Sequence, residues 1–159
     1  MKKFKFNLAK VLTQRQIIAD IAQRSFAEAQ ATHNAEIAKL NEMTKIKNRS
    51  LEERATLIEN SRDWVNSVAQ INNFIIGQDL RIKNQNLRLQ ESENLVESRR
   101  EILREKVSEV KILERLEEKK KQAYVSKAAK EEQAELDELS VLRFSRNENL
   151  TKGSHEDGI

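Results

Sequence analysis

The residues that could do chemistry are few. Two histidines, His33 and His155, stand far apart, and cysteine is absent from all 159 residues. Without cysteine there is no disulfide framework, zinc ribbon or thiol nucleophile. Two isolated histidines outside any HExxH spacing give a metal site or a catalytic triad nothing to build on. Glu117-Glu118 and Glu131-Glu132 are carboxylate pairs only along the chain, because adjacent residues of a helix do not face each other. There is no Gly-rich phosphate loop and no nucleophile elbow. No catalytic, cofactor-binding or metal-binding residue is expected, and the protein reads as a non-enzyme. His33, in an Ala-rich stretch, reads as a surface or seam residue.

What remains is charge and a handful of aromatics. The formal net charge of +3 conceals strong segregation. Residues 1–19 carry five bases and no acid; residues 99–130 carry eleven Lys or Arg against six Glu; residues 131–139 carry five acids and no base. Such runs suit solvated helix faces, and equally an end that docks on an acidic protein or nucleic acid. Phe4, Phe6 and Tyr124 are the aromatics near the basic segments, too few for a base-reading surface, so specific nucleic-acid recognition is not expected.

These residues must be positioned by helices. Proline is absent and two of the three glycines, Gly153 and Gly158, close the chain. Sheets and compact multi-element folds need turns that this composition does not supply. Val68, Ile75, Ile82, Leu89, Val96, Leu103 and Val110 recur every seven residues without a miss, the mark of a long coiled-coil helix. The companion line, Ile71, Gln78, Gln85, Ser92, Arg99, Lys106 and Leu113, is mostly polar. That makes the seam narrow and weakly specifying, better suited to a hairpin than to a tight zipper. A second apolar line, Leu80, Leu87, Leu95 and Ile102, lies on a neighbouring face, either wrapped by the first helix or left for a partner.

The first third is also helical in pattern, through Phe4, Leu8, Val11, Ile18, Ala22, Ala29, Leu40 and Leu51. Two cap signals compete for the reversal: Ser50 with Glu53 forms a capping box, and Asn60 to Asp63 precedes Trp64. The apolar line through Leu40, Leu51 and Ile58 favours the second. The expected fold is therefore all-α, a long antiparallel two-helix coiled-coil hairpin over residues 1–144. Helix 1 would run from about 5 to 57, the turn from about 58 to 62 and helix 2 from about 62 to 144, with 48–50 as the alternative turn. A helix of about 80 residues is ~120 Å long at ~1.5 Å per residue. Residues 145–159 read as a disordered tail. A hairpin monomer and a four-helix dimer fit the same repeats. No apolar run is long enough to span a membrane, and with no apolar region after the basic start no signal peptide is read, which points to the cytoplasm. Trp64 and Phe74 either pack the hairpin tip or leave one ring for a partner. Gly77, the one glycine inside a helix, either permits close approach or is neutral.

The opening, Phe4-Lys5-Phe6-Asn7-Leu8 followed by Val11-Leu12-Thr13-Gln14-Arg15, resembles that of the flagellar export protein FliJ family. So do Ala27-Glu28-Ala29-Gln30; Arg99-Arg100-Glu101; the run Lys111 to Lys120; Tyr124; Glu135-Leu136-Asp137-Glu138; and Leu142-Arg143-Phe144. Together they cover roughly residues 4–144. The resemblance implies a hairpin similar to the stalk of rotary ATPases, in the flagellar type III export apparatus, at the membrane but not inserted in it. The family's partners would be the hexameric export ATPase, whose assembly and activity it promotes, the cytoplasmic part of the export gate protein FlhA, and export substrate chaperones. Carried onto this chain, the ATPase contact falls on Phe4, Phe6, Leu8, Leu12, Arg15, Lys111, Leu113 and Arg115. The gate contact falls on Leu40, Met43, Ile71, Phe74, Gly77 and Arg81 near the tip. Injectisome stalk proteins are distant relatives. A reading of another class, a coiled-coil nucleic-acid binder or general scaffold, rests on the basic segments alone.

Overall fold

A computed structural model describes residues 3–60 and 62–152, with side chains through residue 146. Two helices account for nearly all of it: α1, Ala9–Asn60, and α2, Val65–Lys152. They pair antiparallel as a helical hairpin, and no strand occurs among the described residues. Both helices are longer than amphipathicity alone would sustain, and each relies on its partner for much of its stability.

The element bounds differ in detail from the sequence expectation. α1 starts at Ala9 rather than near residue 5, because residues 3–6 form no regular element and a turn at Asn7-Leu8 leads into the helix. In that turn the Ala9 amide donates to the Phe6 carbonyl at 3.3 Å. α1 passes unbroken through 48–50. Ser50 does not cap there; its hydroxyl donates back to the Ile46 carbonyl at 3.1 Å and is buried. α1 ends at Asn60, and α2 begins after Trp64, whose carbonyl accepts the Val68 amide at 2.8 Å. α2 continues past residue 144 to Lys152, since Ser145 and Arg146 carry no helix breaker; residues 153–159 lie outside the described residues.

The chain packs as two units. One comes from segments 14–110, the other from segments 1–13 and 111–159. In the 14–110 unit the seam is thin: Ala22, Ala29, Val68, Ile75 and Val96 are its buried apolar residues. The small side chains of Ala22, Ala29 and Ser50 on α1 leave room for longer ones from α2. In the second unit the core is smaller still, with Phe6 and Leu12 buried.

Candidate functional site

The seam of the 14–110 unit is a ladder of polar rungs among apolar residues. Arg54 donates to Asn72 Oδ1 at 2.9 Å, and Lys47 pairs with Asp79 at 2.5 Å. Gln78 Nε2 donates to the Met43 carbonyl at 3.1 Å. Gln85 Nε2 donates to the Glu36 carbonyl at 3.1 Å and also reaches the Glu36 carboxylate. The Ser92 hydroxyl donates to the Leu89 carbonyl at 2.8 Å and lies 2.8 Å from His33 Nδ1, from which it accepts. Arg15 pairs with Glu109 at 2.8 Å, and Lys106 with the same carboxylate at 3.1 Å. Residue numbers fall along α1 as they rise along α2, as an antiparallel pair requires.

Gln78 and Gln85, at 3% and 2% exposure, are more buried than any apolar residue of the core. The polar line expected from the sequence is buried here and hydrogen-bonded across the seam, which offsets the cost of burying each amide. Periodicity alone does not reveal this, since it scores hydropathy and not hydrogen bonds.

Two carboxylates of the ladder are held below the usual range. For Glu36 the main cause is the hydrogen bond from Lys39, followed by that from Gln85. For Glu109 it is the hydrogen bond from Lys106, with the Lys106 and Arg15 charges adding to it. Both side chains are half-buried, with 15% and 30% of their surface still reached by water, so solvent screens the effect.

Of the residues expected near the tip, Leu40, Met43 and Ile71 are half-buried, while Phe74 and Arg81 are exposed. Arg81 donates to Gln78 Oε1 at 3.3 Å. A Cβ added at Gly77 would meet nothing within 4 Å, so nothing in the hairpin requires glycine there. Trp64 is exposed along with Phe74; the tip covers neither ring. Leu80, Leu87, Leu95 and Ile102 are exposed too, so α1 does not wrap the second apolar line. Ile102 joins Ile18, Ile21 and Ala22 in a shallow groove that sequence reading did not single out. Among the residues expected to grip an ATPase, Arg15 belongs to this unit and is engaged with Glu109.

The other seven lie in the second unit. Phe4, Phe6 and Tyr124 pack within it, while Phe144 is 70% exposed. The Phe4 ring sits 5.7 Å from Tyr124, tilted by 50°, and Lys120 Nζ lies 5.8 Å from the centroid of buried Phe6. Leu12 is buried; Leu8 and Leu113 are half-buried. Lys111 and Arg115 are exposed, and Arg115 lines an apolar groove with Ile112 and Leu116. The N-terminal segment is thus clasped to α2 by Phe4 and Phe6, and the chemistry left free beside Arg115 is mainly basic and aliphatic.

A family model described as "Flagellar FliJ protein" matches residues 4–149. The chain belongs to the FliJ family. Membership in the family supports a component of the type III export apparatus. The fold is similar to the solved structure of a YscO homolog, CT670, from Chlamydia trachomatis, with a TM-score of 0.63 at 14% identity over 92% of this chain and 99% of that one. No curated protein matches the chain. No described helix is long and apolar enough to cross a membrane, and no cluster of potential metal ligands occurs among the described residues.

Proposed function

We propose that this FliJ-family chain is a stalk protein that binds the hexameric export ATPase, promotes its assembly and activity, and couples it to the export gate. The reading rests on one observation: Lys111 and Arg115 are exposed beside Ile112 and Leu116, while Phe4 and Phe6 of the same unit hold the N-terminal segment against α2. A basic rim around an aliphatic groove suits an acidic, apolar-centred protein surface. In this reading Phe4, Phe6, Leu8 and Leu12 act by supporting α2, and Leu113 contributes from the flank. The FlhA contact falls on exposed Phe74 and Arg81, with Leu40, Met43, Ile71 and Gly77 around them. Docking of export substrate chaperones belongs to the same role.

Co-purification with the export ATPase and measurement of its stimulated hydrolysis test the proposal. The variant Lys111→Glu with Arg115→Glu is expected to abolish stimulation while keeping wild-type helicity. Undiminished stimulation by that variant rejects the assigned surface.

A further inference from the structure

In the 14–110 unit the outer side of α2 carries an uncovered apolar stripe. Leu80, Leu87, Leu95 and Ile102 are between 38% and 61% exposed. At 3.6 residues per turn the four lie within about 80° of one another, and the seam residues Ile82, Leu89 and Val96 stand roughly half a turn away. The stripe is ~33 Å long at ~1.5 Å per residue. It shares no residue with the ATPase and gate contacts proposed above and does not rest on that reading.

The spacing of the stripe is a palindrome. Leu80 and Ile102 stand equally far from Glu91, and so do Leu87 and Leu95. Laid antiparallel on a second α2 with the two-fold axis at Glu91, Leu80 comes level with Ile102 of the other copy and Leu87 with Leu95. Each contact then occurs twice, as an isologous interface requires. Ile102 shares a shallow groove with Ile18 and Ile21, so Leu80 of the other copy meets an apolar seat at each end of the pair. The charges agree with this alignment. Lys83 and Glu101 lie on the same edge of the stripe and come within two residues of level across the pair, and Arg88 comes within one turn of Glu91 of the other copy. Among the described residues these four form no ion pair within the chain. Lys83 and Glu101 stand ~27 Å apart on one unbroken helix, so they cannot meet in a single copy. On the opposite edge Arg81 is turned back to Gln78, away from Arg99 of the other copy.

We infer that the stripe from Leu80 to Ile102 is a self-association surface whose occupant is the same stripe of a second copy, antiparallel about Glu91. The four apolar side chains supply affinity, and the flanking charges set orientation and register, as they do in coiled coils. Four apolar rungs make a small interface, so the dimer forms and dissociates with concentration.

Sedimentation of the full chain over a range of concentrations tests it. The wild-type mass is expected to rise from 18.5 kDa towards twice that value. Leu87→Asp with Leu95→Asp should stay monomeric throughout and keep wild-type helicity, because both side chains lie outside the seam. Lys83→Glu should weaken the dimer, and adding Glu101→Lys to it should restore the dimer. Cross-linking with a short bis-maleimide reads the alignment, since the chain has no cysteine. Glu91→Cys should couple to itself. Leu80→Cys should not, but should couple to Ile102→Cys when the two are mixed. A wild type that stays monomeric at its highest soluble concentration overturns the inference. So does a dimer that survives the two Asp substitutions, a double charge reversal no tighter than Lys83→Glu alone, or Leu80→Cys coupling to itself as readily as Glu91→Cys.

Discussion

Gln85 reaches across the helix pair to Glu36, its amide donating to the Glu36 carbonyl at 3.1 Å while also contacting the carboxylate, and it is the most buried of the core residues. One heptad away, Gln78 does the same to the Met43 carbonyl at 3.1 Å. Thus 36 and 43 on α1 lie level with 85 and 78 on α2, one antiparallel register seen at two rungs.

Replacing Gln85 by Glu sets a carboxylate against the Glu36 carbonyl and carboxylate to which the Gln85 amide donates. Gln85→Glu is expected to destabilise the hairpin by about 3 kcal/mol, the scale of a buried charge left without a partner. Thermal melting followed by circular dichroism measures it. Gln78→Leu with Gln85→Leu should cost little or even stabilise, because apolar replacements of similar volume remove the desolvation cost. The chain has no cysteine, so introduced cysteine pairs report alignment cleanly, and the double-Leu variant should still cross-link at the wild-type positions because the short connection between α1 and α2 holds the register.

Acid should loosen the ladder at Glu36 and Glu109. Each has a folded pKa below its unfolded value of about 4.3. A depressed carboxylate stabilises the fold fully above its unfolded pKa and loses that contribution as pH falls through the folded value. Stability should therefore be level near neutrality and decline below about pH 4 on this account. Glu36→Gln with Glu109→Gln should flatten that decline in melting temperature between pH 6 and 3, and an unchanged slope would exclude these two groups as its source.

The fold class was legible because Val68 to Val110 repeat without a miss and no proline interrupts them. A seam that long leaves an antiparallel partner helix as the economical answer. The start of α2 was harder to place, since Trp64, whose carbonyl opens the helix, is not a capping residue type. The polar rungs were visible as residues but not as structure: hydropathy counts Gln78 and Gln85 against a seam, and the acceptors that offset their burial are backbone carbonyls without sequence identity. Phe4 and Phe6 were visible as aromatics in a basic segment, but their contacts with Tyr124 and Lys120 were not, because those partners lie far along the chain.

Gly77 offers a simple gain. It lies inside α2, its φ is negative, and a Cβ there meets open space. Gly77→Ala is expected to stabilise the hairpin by about 1 kcal/mol, the difference in helix propensity. A rise of a few degrees in melting temperature would show it. If the same variant leaves FlhA binding intact, the bare position is incidental to the proposed gate contact; if binding falls despite the higher stability, the partner needs that close approach.

The N-terminal clasp depends on one ring. Phe6 is buried, Lys120 lies over it, and the turn into α1 starts from its carbonyl. Phe6→Ala removes that anchor and should cost about 3 kcal/mol, the low end for a buried aromatic because the core is thin. The effect should be local: amide exchange should accelerate in residues 3–13 and remain slow around Val68, Ile75 and Val96, whose rungs do not involve the clasp. Phe4→Ala, which loses only a half-buried ring against Tyr124, should do the same to a smaller extent. Uniform acceleration along both helices would mean that the clasp and the polar ladder open as one cooperative unit.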